Sequence, residues 1–230
     1  MSNRTKLFTE PNKFTKKPSF RIEGKNAIAR GYHCYKLSPF SINPLGNSKK
    51  VKKYKLLSPV LSELVTGKEV NDLGCANGLH TISCAFNGAA RVNAVDIDNN
   101  HLRVLREAFE FIGLKNIKIQ YYNVQNYDKE ADITIALGLI HWVFSCTSLF
   151  GSFDKIMEWL KSITRETVLL EWIAPKDANI EMFHHIEYNK DIILEKYNKT
   201  NFIKSLEKHF SSFELVGKVT STREIYKIII

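Results

Sequence analysis

From residue 54 to the C-terminus, short apolar segments alternate with longer segments in which apolar residues recur at helical spacing. The short segments are rich in β-branched residues and predict buried strands, whereas the longer ones predict amphipathic helices. Strands are predicted at 69–73, 92–95, 117–121, 133–137 and 167–172. Helices are predicted over KLLSPVLSELV, which ends before Gly67, and at 79–86, 99–112, 153–163 and 199–210.

This alternation of strands and helices with short connections predicts a parallel sheet with helices on both faces. The last two apolar segments, 213–219 and 223–230, are joined by a Thr-Ser-Thr turn and predict an antiparallel hairpin at one edge. We therefore expect residues 54–230 to form a doubly wound α/β domain. Its sheet would be seven-stranded and mostly parallel.

Residues 1–53 show no sustained period and are rich in Lys, Ser, Asn and Pro, which predicts a basic arm or cap with little regular structure. Residues 1–60 carry 14 Lys and Arg against two acids, a net charge of +12, while the remaining residues sum to −3. Such asymmetry favours an anionic partner, RNA or another polyanion. The Lys-rich composition is also what AT-rich coding would produce. The alternative interpretation is therefore that these lysines form an ordinary solvated surface without a partner.

The 230 residues are 44% apolar and 25% charged, which is typical of a globular domain and excludes disorder over the whole length. No stretch approaches the length of a membrane span, and the first residues lack the apolar segment of a secretory signal. We therefore expect a cytoplasmic protein that does not associate with a membrane. The four cysteines lack the spacing of a zinc site and are expected to be reduced thiols.

The first predicted strand ends in VNDLGCANGL, where small residues at Gly74, Ala76 and Gly78 allow a sharp turn and close approach of a ligand. The following helix points its positive N-terminus at the same place, so the loop predicts a cradle for an anion or cofactor. Asp96 ends the second strand, 22 residues beyond Gly74. A carboxylate at this position can accept hydrogen bonds from both hydroxyls of a ribose.

These segments resemble the motifs of class I S-adenosylmethionine-dependent methyltransferases. VNDLGCANGLHTI is similar to their first motif, VNAVDIDNNHL to the second, IQYYNVQNY to the third and IALGLIHWV to the fourth. The resemblance covers residues 54–230, including the terminal hairpin. Dinucleotide-binding dehydrogenases share only the glycine-rich loop after the first strand and the acidic residue that ends the second strand. The resemblance implies S-adenosylmethionine as the cofactor and methyl transfer as the reaction.

The resemblance also implies which residues bind the cofactor. Those expected at its methionine end are Asp72, Gly74, Cys75 and Gly78. Those expected at its nucleoside are Asp96 at the ribose, Ile97 beside the adenine, Asn123 at the adenine amine and the Val124 amide at the ring edge. Two positions depart from the pattern. Ala76 replaces the middle glycine, which requires an ordinary backbone angle there, and Asn123 replaces the usual acid.

Two residues at the carboxyl ends of strands are candidates for catalysis. His141 follows the fourth strand, and its unperturbed pKa suits a general base that takes the proton of the methylated nucleophile. Glu171 ends the fifth strand and could contact the acceptor. Packing beside Trp142 is the alternative role of His141. A supporting role behind the acceptor site is the alternative for Glu171.

The segment EMFHHIEY brings together Glu181, His184, His185 and Glu187, but no further ligand of matching spacing is evident. We expect a solvated helix over the pocket there and no metal site. An aromatic series falls in the loops after strands four and five, where this fold builds its acceptor pocket. The series comprises Trp142, Phe144, Phe150, Trp172, Phe183 and Tyr188. It predicts an apolar pocket, partly covered by a lid.

Several acceptor chemistries leave signatures that are not found here. Where the Asn/Asp-Pro-Pro-aromatic tetrapeptide would stand, this sequence has GLIH. No cysteine follows a proline. The Lys-Asp-Lys-Glu set of ribose methylation lacks its Asp. We therefore expect methylation of an oxygen or nitrogen nucleophile on a small-molecule acceptor. The alternatives are an RNA methyltransferase that uses the basic arm, and a non-catalytic module that keeps the cofactor fold.

Overall fold

The computed structural model describes residues 17–46, 49–123, 126–146, 150–181 and 195–230. The described strands are β1 (Ser19–Glu23), β2 (Asn26–Arg30), β3 (Tyr35–Ser38), β4 (Ser41–Pro44), β5 (Glu69–Leu73), β6 (Arg91–Asp96), β7 (Ile117–Tyr121), β8 (Ala131–Ala136), β9 (Thr164–Ile173), β10 (Ser212–Thr220) and β11 (Arg223–Ile229). The described helices are α1 (Lys49–Leu64), α2 (Leu79–Phe86), α3 (Asn99–Ile112), α4 (Ile140–Cys146), α5 (Phe153–Ser162), α6 (Ala178–Glu181) and α7 (Lys199–His209).

Seven strands form one sheet in the order β10-β11-β9-β8-β5-β6-β7. The five strands from β9 to β7 are parallel, whereas β11 runs antiparallel to β9 and pairs with β10 as the terminal hairpin. The predicted doubly wound, mostly parallel sheet with an antiparallel edge hairpin is confirmed. Of the helices described, none combines the length and the apolarity that crossing a membrane requires.

Successive strand residues point to opposite faces of the sheet and fill two separate cores. In β6, Val92 and Ala94 join the core that also contains buried residues of α1, α2 and α3. Val95 joins the other core, together with buried residues of α5 and α7. The predicted covering of both faces by helices is therefore confirmed.

Strand β5 pairs with β6 on one side and with β8 on the other, so the order of the parallel strands reverses there. In open α/β sheets, ligands bind at such a reversal, outside the carboxyl ends of the strands. The connections that follow β5, β6, β8 and β9 all leave this edge of the sheet. They carry the glycine-rich loop and most of the predicted site residues.

The N-terminal segment was expected to have little regular structure, and that prediction is wrong for residues 17–46. Strands β1 to β4 form an antiparallel four-stranded sheet, which we call the cap sheet. Alternate residues of β2 and β3 are fully buried, among them Ala27, Ala29, Tyr35 and Leu37. Helix α1 begins at Lys49, so the boundary predicted between residues 53 and 54 falls inside a helix.

Candidate active site

The glycine-rich loop between β5 and α2 turns through three residues in the left-handed region. Gly74 has a φ of 70°, Ala76 of 49° and Gly78 of 83°. A Cβ atom on Gly78 would lie 2.2 Å from Cδ1 of Leu105, so both the backbone angle and the packing require glycine. The expectation of an ordinary angle at Ala76 is wrong, because this alanine adopts the conformation that usually favours glycine.

Asp96 joins this loop to the end of the neighbouring strand β6. Its Oδ2 atom accepts a hydrogen bond from the amide of Ala76 at 2.8 Å, and its Oδ1 atom accepts one from the amide of Asp98 at 2.8 Å. Burial raises the pKa of Asp96, although both amide hydrogen bonds act in the opposite direction. The carboxylate is therefore held beside the loop, and each oxygen keeps a lone pair for a ligand.

The remaining residues predicted at the nucleoside lie further out. Ile97 follows Asp96 and is 62% exposed, which leaves its apolar side chain available to a flat ring. Asn123 is exposed just beyond β7. Val124 lies outside the described residues.

Asp72 lies on β5 below the loop and is buried, and no basic side chain among the described residues is hydrogen-bonded to it. The hydroxyl of Thr81 donates to its Oδ2 atom at 2.6 Å. Burial raises the pKa of Asp72 to about 7, and repulsion from Asp96 adds to the increase. Burial also raises the pKa of the Cys75 thiol, which therefore stays protonated at neutral pH.

A small cavity of about 10 Å³ lies between this loop and the cap sheet, enough for about one water molecule. Its walls are Tyr32, His33, Lys53, Asp72, Gly74, Cys75, His80 and Leu137. Three of these residues, Asp72, Gly74 and Cys75, were predicted at the methionine end of a cofactor. The structure thus brings them together in one concave site with residues of the cap sheet and α1.

The cap sheet is hydrogen-bonded to the glycine-rich loop through Asn77. The amide of His33 donates to Oδ1 of Asn77, and Nδ2 of Asn77 donates to the carbonyl of His33, both at 2.8 Å. The hydroxyl of Tyr35 donates to the Asn77 carbonyl at 2.5 Å. Sequence reasoning missed these contacts. The aromatic cluster GYHCY was visible in the sequence, but its pairing with a residue 44 positions away was not.

Two buried histidines face each other where the cap sheet meets α2. The ring centroids of His33 and His80 are 5.5 Å apart. Burial lowers the pKa of both, that of His80 to about 3, and the nearby ammonium of Lys53 acts in the same direction. Both rings are therefore neutral at pH 7. Within the described part of the chain, Nδ1 of His33 and both ring nitrogens of His80 have no hydrogen-bonding partner.

Glu171, predicted at the acceptor side, belongs to a buried network of four charged groups. Lys53 on α1 donates to its Oε2 atom at 2.5 Å, and Nη1 of Arg223 lies 3.8 Å from Oε1. Arg223 in turn forms two hydrogen bonds with Asp177, at 2.9 and 2.8 Å. The side chains of all four are at most 5% exposed. Oε1 of Glu171 accepts no hydrogen bond from any described residue.

The acceptor side of the sheet also contains Gly138, which follows β8. A Cβ atom at Gly138 would lie 3.6 Å from Oε2 of Glu171 and 3.7 Å from the hydroxyl of Tyr32. The end of β8, the end of β9 and the cap sheet therefore meet at this point. Tyr32 was not predicted as a site residue, since only the folded cap sheet places its hydroxyl there.

His141 lies in the short helix α4 and not in an open loop. It is only 4% exposed, and its ring centroid is 5.7 Å from that of Trp142. Burial lowers the pKa of His141 to about 3, and the positive charge of Arg223 contributes. The imidazole is thus neutral at pH 7 and is a weaker base than a solvated histidine.

The predicted aromatic pocket is partly visible. Phe144, Phe150 and Trp172 are buried in the core beside α5 and α7, whereas Trp142 is 42% exposed. His184, His185, Glu187, Phe183 and Tyr188 lie outside the described residues, as does the side chain of Glu181. Among the side chains that the structure describes, no group of three or more His, Cys, Asp or Glu could hold a metal ion.

Known proteins share this domain and fold. Residues 70–162 match the family described as methyltransferase domain. A probable protein arginine N-methyltransferase 6.2 from Oryza sativa subsp. indica is 49% identical over 104 residues, which are 43% of this chain and 26% of that protein. The ribosomal protein L11 methyltransferase of Caldanaerobacter subterraneus subsp. tengcongensis is 31% identical over 84 residues, 36% of this chain and 27% of that protein.

Among solved structures, the magnesium protoporphyrin IX methyltransferase from Synechocystis PCC 6803 with bound SAH superposes with a TM-score of 0.55. It is 16% identical and the match covers 79% of this chain and 82% of that one. The chain spans about a quarter of the length of the curated relatives it matches. The methyltransferase domain and its doubly wound fold confirm the resemblance to class I methyltransferases.

Proposed function

We propose that this chain binds S-adenosylmethionine and transfers its methyl group to an oxygen or nitrogen nucleophile of a small-molecule acceptor. The observation that carries the proposal is the hydrogen bond between Asp96 and the amide of Ala76. It fixes an acidic side chain against a left-handed, glycine-rich loop at the point where the strand order reverses. This is the arrangement that a ribose and an adjacent charged group require.

The residues at the site fit this cofactor. Asp72 is a carboxyl group whose burial raises its pKa to about 7. An ammonium or sulfonium group beside it would stabilise the carboxylate form. Solved relatives with bound S-adenosylmethionine or its demethylated product support the same choice.

The cofactor-binding roles remain as the sequence predicts them. Asp72, Gly74, Cys75 and Gly78 form the part of the site around the methionine end, and Asp96 binds the ribose hydroxyls. Ile97 covers one face of the adenine. Asn123 and the Val124 amide recognise the adenine edge.

Bound S-adenosylmethionine supplies an electrophilic methyl group on a positively charged sulfur. An acceptor hydroxyl or amine must lose one proton when it gains that methyl group. Glu171 is assigned to orienting such a nucleophile, because its buried Oε1 atom accepts no hydrogen bond from any described residue. Lys53 and Arg223 lie beside this side chain and compensate its negative charge.

His141 is the second acceptor-side residue in this proposal. Its neutral imidazole can receive the proton, but a pKa of about 3 makes it a weak base in the free protein. We therefore assign it first to orienting the acceptor. Removal of the proton by His141 would require a more polar environment in the complex than burial allows here.

The cap sheet favours a small acceptor. It is hydrogen-bonded across the glycine-rich loop and its Tyr32 hydroxyl reaches Gly138, so the reacting edge of the sheet is covered. The relatives are named for acceptors that range from proteins to a magnesium porphyrin, and their names do not select one class. The RNA alternative has specific support in the exposed lysines of α1, Lys49, Lys52 and Lys55.

The acceptor class can be tested by incubating the chain with tritiated S-adenosylmethionine and a size-fractionated cell extract, with and without ribonuclease. We expect label in the small-molecule fraction, unaffected by ribonuclease and strongly reduced with Asp96→Ala. Label confined to ribonuclease-sensitive material would favour the RNA alternative. Cofactor binding without label in any fraction would favour the non-catalytic module.

A further inference from the structure

A second, larger cleft lies on the outer side of the residues that cover the glycine-rich loop. It has a volume of about 260 Å³ and is formed by the connection between β2 and β3, the end of β4, the first turn of α1 and the start of α2. Its walls include Tyr32, His33, Leu45, Lys50, Val51 and Leu79. Tyr32 and His33 also line the small cavity beside Gly74, so one pair of residues separates the two spaces.

The cleft combines an apolar wall with a cation. Leu45, Val51 and Leu79 supply aliphatic surface, while Lys50 supplies an ammonium group 3.9 Å from the ring centroid of Tyr32. That ammonium donates a hydrogen bond to the Tyr32 carbonyl, and within the described residues it has no carboxylate partner. An ammonium has three donors, so at least one remains for a ligand.

Most of the charged groups around Lys50 are positive. Burial lowers the pKa of its ammonium, and the charges of Lys53, Lys49 and Arg223 act in the same direction, whereas the neighbouring Cys34 acts in the opposite direction. The neutral imidazole of His33 adds no charge. A partly buried cation among other cations is stabilised by an anion more strongly than an exposed lysine would be.

We propose that this cleft binds a small organic acid, whose carboxylate or phosphate pairs with Lys50 and whose apolar body packs on Leu45, Val51 and Leu79. The volume is slightly below the range of pockets for drug-sized ligands, roughly 300–1,000 Å³, which limits the ligand to a compact molecule. The inference goes beyond the proposed function, because Tyr32 and His33 separate this cleft from the small cavity beside the glycine-rich loop, so the acid occupies a second site next to the one proposed for the cofactor.

The test uses two compact aromatic acids, benzoate and phenyl phosphate, and the neutral benzamide as their matched control. Each is titrated into the isotope-labelled full chain, with and without saturating S-adenosylhomocysteine, while amide signals of Gly31, Cys34 and Gly46 are followed by NMR. We expect both acids to shift these signals and to bind about tenfold more tightly than benzamide. A tenfold ratio corresponds to about 1.4 kcal/mol, which a hydrogen bond between charged groups can supply.

Two variants on the same helix separate the cleft from general charge. Lys50→Gln should remove the preference for acids, whereas Lys52→Gln, which removes an equal charge from an exposed position outside the cleft, should leave it within about twofold. Lys50→Arg should restore most of the preference, since it keeps the positive charge. Melting curves show whether each variant is folded. If a variant does not fold, the comparison of the acids with benzamide in the wild-type chain still tests the proposal.

Three results would overturn the proposal: no binding of either acid, equal affinity for benzamide, or an equal loss in Lys50→Gln and Lys52→Gln. Binding of S-adenosylhomocysteine is measured in the same samples. Its absence would contradict the proposed function, whereas the acid site itself is decided by the acid titrations alone.

Discussion

Lys53 donates a hydrogen bond to Oε2 of Glu171 at 2.5 Å, and neither side chain is more than 5% exposed. The pair joins the first half of α1 to the carboxyl end of β9, across 118 residues of sequence. Glu171 was predicted to face the acceptor. Its partner was counted only among the 14 Lys and Arg of residues 1–60, and the structure shows that this lysine is buried.

Replacing Lys53 by methionine should therefore destabilise the fold. The change leaves Glu171 buried beside Arg223 alone, and loss of one partner of a buried ion pair typically costs about 3–5 kcal/mol. Urea unfolding measures the loss. The control is Lys52→Met, which alters an exposed residue of the same helix and should change stability by no more than about 0.5 kcal/mol. Equal effects of the two substitutions would contradict the importance of the pair.

The periodic part of the sequence predicted the α/β fold well. The bounds predicted for β5, β7, α2 and α3 are those observed, because each element has its own apolar pattern, and β5, α2 and α3 also have a glycine or an acidic residue next to one end. The cap sheet was not predicted, because its strands are too short to show such a pattern. Its strands have four or five residues, and only their pairing with one another creates the alternation of buried and exposed positions.

The same distinction applies to the site. Gly74, Gly78 and Asp96 could be found because strand ends and glycines are readable locally. The roles of Tyr32, His33 and Lys53 depend on contacts with distant residues, such as Asn77 and Glu171, which no local pattern encodes. The position of His141 after β8 could be predicted from the sequence. Its burial in α4, which lowers the pKa of its imidazole, could not.

Gly78→Ala should destabilise the protein more than an equivalent change at another left-handed glycine. Its Cβ would lie 2.2 Å from Leu105, whereas a Cβ on Gly67, with a φ of 73°, meets nothing within 4 Å. Gly67→Ala should therefore cost only the backbone strain, about 1–2 kcal/mol. Overpacking should add about 1–3 kcal/mol in Gly78→Ala. Thermal unfolding of both variants checks this, and equal losses would contradict the packing argument.

Cofactor binding should release protons near neutral pH through Asp72. In the free protein its pKa is about 7, so the carboxyl group is roughly half protonated at pH 7. A cation bound beside it lowers that pKa, so binding expels up to about half a proton at pH 7, more at pH 6 and little at pH 8. Calorimetry of S-adenosylhomocysteine binding in buffers of different ionisation enthalpy measures the release.

Asp72→Asn should abolish the proton release, while Asp128→Asn, at an exposed position away from the loop, should leave it unchanged. Proton uptake on binding, or release that grows as the pH rises from 6 to 8, would contradict the assignment of Asp72.

RNA binding through the basic N-terminal part should be weak. If six cations contacted phosphates of a single strand, the log-log salt slope would be about −4. We expect a dissociation constant above about 10 μM at 150 mM salt, because Phe40 is the only large aromatic side chain that is exposed among the described residues up to the end of α1, and charge with so small a stacking surface gives little affinity. Fluorescence anisotropy with a mixed RNA pool across a salt series measures both quantities.

The matched variant for this test is the triple change of Lys49, Lys52 and Lys55 to Gln, since all three are exposed on α1. Removal of residues 1–53 would instead cut this helix and delete the cap sheet. Submicromolar binding at 150 mM salt that the triple variant loses would overturn the small-molecule proposal in favour of RNA.

Calorimetric titration with S-adenosylhomocysteine tests the central claim most directly, using the wild-type chain, Asp96→Ala and the exposed control Asp128→Ala. We predict that the wild-type chain binds and that Asp128→Ala binds equally well. Asp96→Ala should bind about 10 to 150 times more weakly, since two ribose hydroxyls lose a charged acceptor worth about 1.5–3 kcal/mol. An unchanged affinity in folded Asp96→Ala, or no binding by the wild-type chain, would contradict the account.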